Sequence, residues 1–288
     1  MRILVTGATG QLGRSMIDAV KGSTDDYFFA DHDFLDITDC EAVELCLKVN
    51  DYDVVVNCAA YTDVERAESQ ESIADEINGN AVGYLAASAA STNTFLIHIS
   101  TDYVYPGDAS RPYREDSIPS PLSAYGRSKL KGEKAIEESG CKAIVIRTSW
   151  LYSPYGRNFV KTMMKLTAER DTLQVVTDQI GSPTSATDLA EAIVKIITER
   201  KFAGNEGTYN YSNEGVCSWF DFAKVIQHFC KNDRCIVNPC DTEQFPTKAV
   251  RPSYSVMDKS KFKETFGLSI PYWIDSLERC IETIERTK

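Results

Sequence analysis

The 288-residue chain has no apolar run approaching the roughly 20 residues that span a bilayer. Its first apolar segment stops at Gly7, too early for a secretory leader, so a cytosolic location is expected. Positive charge is scarce: 31 Lys and Arg stand against 42 Asp and Glu, a net charge of −11. That balance argues against nucleic acid and anionic membrane as partners. It leaves room for a nucleotide, which needs only local amides and one or two cations. The chain has no internal repeat and no low-complexity tail. Its nine cysteines are an odd number without a close C-x-x-C pair, so no full disulfide set is expected. His228, Cys230, Cys235 and Cys240 cluster in sequence, but the spacing is not that of common structural zinc sites. They read as a helix running into a strand with inward thiols, and no metal site is assigned.

What the chain does have is alternation. Short β-rich runs lie at Arg2–Thr6, Tyr27–Ala30, Val54–Ala60, Phe95–Ser100 and Ala143–Thr148. Between them Gln11–Val20, Asp39–Val49, the Ala-rich Ile73–Ser91 and Tyr125–Glu138 carry helical spacing, and Gly140 is placed to end the last. The fold class is therefore α/β, a Rossmann-type doubly wound parallel sheet over residues 1–150. Residues 151–288 read as a smaller, less regular C-terminal substrate lobe, with a strand and helix near 175–200 able to return to the first domain. Helices are expected at Asn158–Ala168, Thr187–Thr198 and Ser218–Cys230, and a loop at Pro239–Pro252. Ligands of such sheets bind beyond the carboxyl ends of the strands, here Gly7, Asp31, Ala59, Ser100, Thr101 and Trp150.

Gly7, Gly10 and Gly13 follow a strand and open a helix, the context a pyrophosphate-binding turn requires. Asp31 lies about 20 residues on, where a carboxylate suits ribose hydroxyls and disfavours a 2′-phosphate; Asp33 and Asp36 compete for that role. NADH is favoured and NADPH stays open. Tyr125 and Lys129 are four apart, on one helix face. A phenol beside a fixed ammonium can protonate a carbonyl that is receiving hydride. A free phenol titrates near about 10, and Lys129 is expected to lower that while also bonding the nicotinamide ribose. Thr101, in the turn Ser100-Thr101-Asp102-Tyr103, would reach the carbonyl oxygen. Lys248 and Arg251 are candidate cations for a diphosphate, with a structural ion pair as the alternative for Arg251.

Taken together the chain resembles the dTDP-4-dehydrorhamnose reductase family, in the nucleotide-sugar branch of the extended short-chain dehydrogenases/reductases. The resemblance runs from residue 1 to about 255 and is carried by Gly7–Gly13, Asn57-Cys58-Ala59-Ala60-Tyr61-Thr62, Ser100–Val104, Tyr125–Lys129, Arg147–Trp150, Asn158–Val160, Asp178–Thr184 and Arg251-Pro252. It implies reduction of the C4 ketone of dTDP-4-dehydro-β-L-rhamnose, with Tyr125 as acid, Lys129 as its partner and Thr101 at the carbonyl. It implies a cofactor lining of Gly10, Gln11, Leu12, Asp36, Ile37, Ala59, Ala60 and Tyr61. Asp102 and Trp150 would meet the sugar. Asn78 matches the superfamily's helix asparagine and would belong to the substrate site, with Asn80 competing. Cys58 and Pro106 depart from the family pattern. Some members dimerise around Mg²⁺, but Ser15 stands where one carboxylate would be, so Mg²⁺ is unsupported and monomer or homodimer stays open. Two alternatives remain: another nucleotide-sugar ketoreductase or epimerase, and a non-catalytic regulatory subunit like the β subunit of methionine adenosyltransferase.

Overall fold

A computed structural model describes residues 1–287. Its first half runs β1 (Arg2–Thr6), α1 (Gln11–Ala19), β2 (Asp26–Ala30), α2 (Cys40–Asn50), β3 (Val54–Asn57), α3 (Val64–Ala67), α4 (Glu71–Asp75), α5 (Ala81–Thr92), β4 (Phe95–Thr101), α6 (Ala124–Ser139) and β5 (Ala143–Thr148). Every residue of β3 and β5 is buried, as expected of parallel strands covered on both faces. Helix starts follow local chemistry. Asp39 accepts from the Ala42 amide ahead of α2, and Ser123 from the Gly126 amide ahead of α6.

The second half runs β6 (Leu151–Tyr152), α7 (Phe159–Glu169), β7 (Thr172–Val176), β8 (Ile180–Gly181), β9 (Thr184–Ser185), α8 (Ala186–Thr198), β10 (Gly207–Asn210), β11 (Cys217–Ser218), α9 (Trp219–Phe229), β12 (Ile236–Cys240), α10 (Ser260–Phe266) and α11 (Trp273–Arg286). One six-stranded parallel sheet has the order β10-β5-β4-β3-β1-β2. Leu189, Ile193 and Ile197 of α8 join Ile3, Val5 and Met16 in one core on that sheet. A separate core gathers Val160, Phe222, Leu277 and Ile281 from α7, α9 and α11.

Two elements of the first half differ from the sequence expectation, and the later strand that joins the sheet is β10, not one near 175–200. The Ala-rich helix is not uniform: α4 and α5 are joined through a π-helical turn, Glu76–Asn80. An extra residue in such a turn re-aims a side chain, here the buried Asn78. The expected strand Val54–Ala60 stops at Asn57. There the Asn57 side chain takes the Ala59 amide at 3.2 Å and turns the chain out of the sheet.

Beneath the carboxyl end of the sheet, Arg147 of β5 makes a forked pair with Glu133 of α6, at 2.6 and 3.0 Å. The two side chains are only 6% and 8% exposed. Ser100 donates to the same carboxylate, and Arg147 also donates to the Tyr105 hydroxyl at 2.9 Å. Removing one partner of a buried pair leaves the other charge uncompensated. Arg147→Met should therefore lower stability at pH 7 by about 3–5 kcal/mol, read by chemical denaturation. A loss under 1 kcal/mol would show that water reaches Glu133.

Candidate active site

The cleft lies at the carboxyl ends of β1, β3 and β4 and has two lobes that share Gly10, Cys58 and Ala60. Gly7 shapes the entrance. Its φ is +66°, and a Cβ there would sit 2.6 Å from the Ala59 nitrogen. A Cβ on Gly13 would lie 2.3 Å from the Gly7 carbonyl oxygen, so only glycine lets α1 pack under the turn. α1 begins at Gly10 with no side-chain cap and no acid in its first turn. Its leading amides are thus left for an anion, which the helix dipole also favours.

The first lobe, about 670 Å³, is lined by Gly7, Gly10, Asp36, Ile37, Ala59 and Ala60, with His32, Thr38 and Glu76 at its sides. Asp36 accepts from the Thr38 hydroxyl at 2.7 Å and the Thr38 amide at 2.9 Å. Those bonds hold its carboxyl below the usual range, although burial opposes them. Asp31, the sequence choice for this role, does not line the lobe. β2 ends at Ala30, and the chain turns at once, with Asp31 Oδ1 accepting the Phe34 amide at 3.0 Å. The acid that reaches the cleft comes five residues later.

The second lobe, about 420 Å³, holds Gln11, Leu12, Thr101, Asp102, Tyr125, Lys129, Thr148, Trp150, Trp219 and Arg251. Thr101 donates to Asp102 Oδ1 at 3.0 Å. Burial pushes the Tyr125 phenol up to about 12; the Thr101 hydroxyl opposes this and Asp102 adds to it. Burial also pulls Lys129 down to about 8, against Glu133, and lifts Asp102 to about 6, against Ser255 and Thr101. The expectation that Lys129 lowers the phenol is not met in this arrangement. The Lys129 nitrogen donates to the Ile99 carbonyl at 2.6 Å and faces His98 at 3.3 Å. Desolvation therefore governs Tyr125.

Some expected contact residues act from behind the cleft. Asn78 is fully buried. It receives the Tyr61 amide at 2.9 Å and donates to the Tyr61 carbonyl at 2.9 Å and the Ser128 hydroxyl at 3.0 Å. It positions the Tyr61 backbone against α6 and does not line the sugar lobe, as the resemblance implied it would. Asn80 bonds Glu76 instead. The Tyr61 ring packs against the cluster of Ala67, Ala74 and Ala124, its hydroxyl donates to Gln70, and the residue stands outside the lining of both lobes. Arg251 reaches the cleft while pairing with Glu65 at 2.9 Å, and its Nε is buried without a partner. The ion-pair alternative for Arg251 is therefore observed, while the residue also lines the cleft. The exposed Lys248 bonds Glu65 through its backbone and lies outside the cleft lining.

Sequence reasoning missed Trp219, whose ring stacks on Trp150 at 3.7 Å. Trp150 itself holds φ +47°, a strained value for a bulky residue. Nothing local marks this pair, because residues 69 positions apart meet only through the second lobe's packing. Ser15 is buried and donates to the Gln11 carbonyl. Among the described residues no three His, Cys, Asp or Glu side chains group to hold a metal ion.

A glycine turn on a helix N-terminus, opening into a lobe with a half-buried Tyr beside a buried Lys and Thr, defines a dinucleotide-dependent oxidoreductase of the short-chain dehydrogenase/reductase type. A family model described as the RmlD substrate binding domain matches residues 1–286. A dTDP-4-dehydrorhamnose reductase of Aggregatibacter actinomycetemcomitans is 39% identical, over 96% of this chain and 97% of that protein. A probable dTDP-4,6-dihydroxy-2-methyloxan-3-one 4-ketoreductase of Streptomyces antibioticus is 38% identical, over 99% and 96%. The crystal structure of a dTDP-4-dehydrorhamnose reductase of Bacillus anthracis in complex with NADP has a TM-score of 0.92 and 37% identity, covering 98% of this chain and 99% of that one. The chain belongs to the dTDP-4-dehydrorhamnose reductase family.

The backing role of Asn78 has a measurable consequence. Asn78→Ala deletes three hydrogen bonds of a buried side chain, and each partner left stranded costs about 1–3 kcal/mol. The melting temperature should fall by several degrees, and affinity for the dinucleotide should weaken as the Cys58–Tyr61 segment loosens. Unchanged dinucleotide affinity in a destabilised variant would confine Asn78 to scaffolding.

Proposed function

We propose that this chain reduces the C4 ketone of dTDP-4-dehydro-β-L-rhamnose to dTDP-L-rhamnose with a nicotinamide nucleotide. The observation that carries this reading is the meeting of the Tyr125 phenol, the Thr101 hydroxyl and the Lys129 amine in one buried lobe that opens on the glycine turn. The leading amides of α1 would hold the pyrophosphate, and Asp36, Ile37, Ala59 and Ala60 the adenosine half. The nucleotide supplies hydride when bound. Tyr125 passes its proton to the carbonyl oxygen as negative charge grows there. Its high proton affinity keeps it in the donor form across neutral pH. Thr101 holds the oxygen within reach of that proton. Asp102 and the stacked Trp150 and Trp219 orient the sugar nucleotide. The first 150 residues, together with the segment that returns to the sheet, form the cofactor unit. The 151–288 lobe covers the substrate. A cytoplasmic enzyme, active as monomer or homodimer, fits the reading.

A second substrate has support of its own, since the Streptomyces relative named for a different dTDP-keto sugar is nearly as similar. A coupled assay offering both keto sugars decides between them. No oxidation of NADH or NADPH with either sugar would sink the reductase reading in favour of a regulatory subunit.

Three substitutions probe the roles. Tyr125→Phe should cut kcat about 10²–10⁴-fold, the usual loss of a positioned general acid, with dinucleotide binding intact. A rate within threefold of the parent would remove Tyr125 from the mechanism. Asp36→Ala should move the NADH/NADPH ratio of kcat/KM toward NADPH, because among the described residues no Lys or Arg lines the first lobe and the carboxylate repels a 2′-phosphate. An unmoved ratio would place discrimination elsewhere. Arg251→Ala should raise KM for the dTDP-sugar about tenfold while KM for NADH stays put. Equal loss for both would assign Arg251 to the Glu65 pair alone.

A further inference from the structure

Four buried side chains run in a row across the carboxyl end of the sheet: Thr6 of β1, Asn57 of β3, His98 of β4 and Lys129 of α6. None is more than 1% exposed. Strand register sets Thr6 opposite Asn57 and Asn57 opposite His98. The direction of each hydrogen bond in the row is determined by one group that can act in only one way. The Ala59 backbone amide can only donate, and it donates to Asn57 Oδ1 at 3.2 Å. Thr6 Oγ1 meets the same oxygen at 2.6 Å. The Asn57 amide is thereby oriented, so Nδ2 donates to His98 Nδ1 at 3.1 Å. A ring that accepts at Nδ1 and is neutral carries its proton on Nε2.

That Nε2 lies 3.3 Å from Lys129 Nζ. A donor therefore faces the lysine. An ammonium has no lone pair to offer it. An amine accepts the Nε2 proton while still donating to the Ile99 carbonyl at 2.6 Å. Protonating the ring is no escape, because a proton on Nδ1 would confront the Asn57 NH₂. Burial disfavours imidazolium as well, and so does any positive charge on Lys129.

We propose that His98 is a positioning residue for the catalytic pair: locked by Asn57 as the Nε2–H tautomer, it presents a donor to Lys129 and favours the amine over the ammonium. This rests on reading Lys129 as the partner of Tyr125 in ketone reduction. The row also ties the strand that feeds the glycine turn, and the loop bearing Ala59, to the lysine. Other titratable groups surround the same point. Tyr125, Cys58 and Asp102 share the lobe with Lys129, and Glu133 lies one turn along α6. Glu133 favours the ammonium, but its carboxylate is engaged by Arg147 and Ser100. Burial holds the Cys58 thiol neutral, raised to about 12.

Two measurements test this. The chain has three histidines, and His32 and His228 are exposed, so the ring nitrogens of His98 can be assigned in the full-length, ¹⁵N-histidine-labelled protein by substituting the other two. His98 should show a protonated Nε2 and a bare Nδ1, unchanged between about pH 5 and 9. A protonated Nδ1, or an imidazolium in that range, overturns the proposal. The second is the pH profile of kcat/KM. In this reading Lys129 bonds the nicotinamide ribose as an ammonium, and that form is lost as pH rises, so its ionisation forms the alkaline limb. His98→Leu removes the facing donor and should move that limb up by about one pH unit. Asn57→Asp lets a carboxylate oxygen accept from Nδ1, turning Nε2 into an acceptor for the ammonium, and should move the limb the same way. Limbs that stay put in both variants overturn the proposal. Should the variants fail to fold, the parent's ¹⁵N shifts decide alone. A parent that reduces neither keto sugar sinks the functional reading, while those shifts still test the row of hydrogen bonds.

Discussion

The Glu133 carboxylate is the point on which the site depends. It is held by Arg147 of β5 and by Ser100 of β4, and it sits on α6. Each of these three anchors stands beside a cleft residue. Lys129 is one helical turn before Glu133, Thr101 follows Ser100, and Thr148 follows Arg147. Two strands and a helix from distant parts of the chain are therefore pinned within a residue or a turn of the reacting groups. A buried pair of this kind adds little net stability over an apolar replacement. Its geometric effect is larger, since a carboxylate with three directed donors has few alternative positions. Tyr105 carries the network on to Asn210 at 3.0 Å, so the sixth strand, β10, is tied to it as well.

Desolvation is the second common theme. It raises Tyr125 and Asp102 and lowers Lys129, each toward its neutral form. A lobe that resists charge suits a reaction in which charge develops on a carbonyl oxygen and is removed in the same step by a proton. Hydrogen bonds in a low-dielectric site are also stronger, so the Thr101 hydroxyl acts there with more effect than it would in water. The open amides of α1 and the Arg251 guanidinium border the same cleft and give it its positive groups.

Much of this was legible in the order of residues, for local reasons. The buried strands β3 and β5 open on continuous apolar runs, and both Asp39 and Ser123 mark helix starts through bonds to amides three residues on. What escaped the reading depended on one residue or one distant partner. A single inserted residue makes the π turn that carries Asn78, which leaves the Ala-rich pattern almost unaltered. A single amide bond to Asn57 ends β3 before its apolar run ends. Asp31 and Asp36 are equally plausible as acids after a strand; which reaches the cleft was decided by the turn that Asp31 closes on Phe34.

The chain's own spacing determined that Tyr125 and Lys129 share a helix face and that Gly7, Gly10 and Gly13 open a helix, since both follow from local backbone geometry. Tertiary structure alone decided what those groups do chemically. It placed the phenol in a desolvated lobe and turned Lys129 toward Ile99 and His98. It set Trp219 on Trp150 and brought Arg251 to the cleft from a loop far along the chain. Proton affinity depends on solvent exclusion and on neighbours distant in sequence, and neither is encoded in any short stretch of residues.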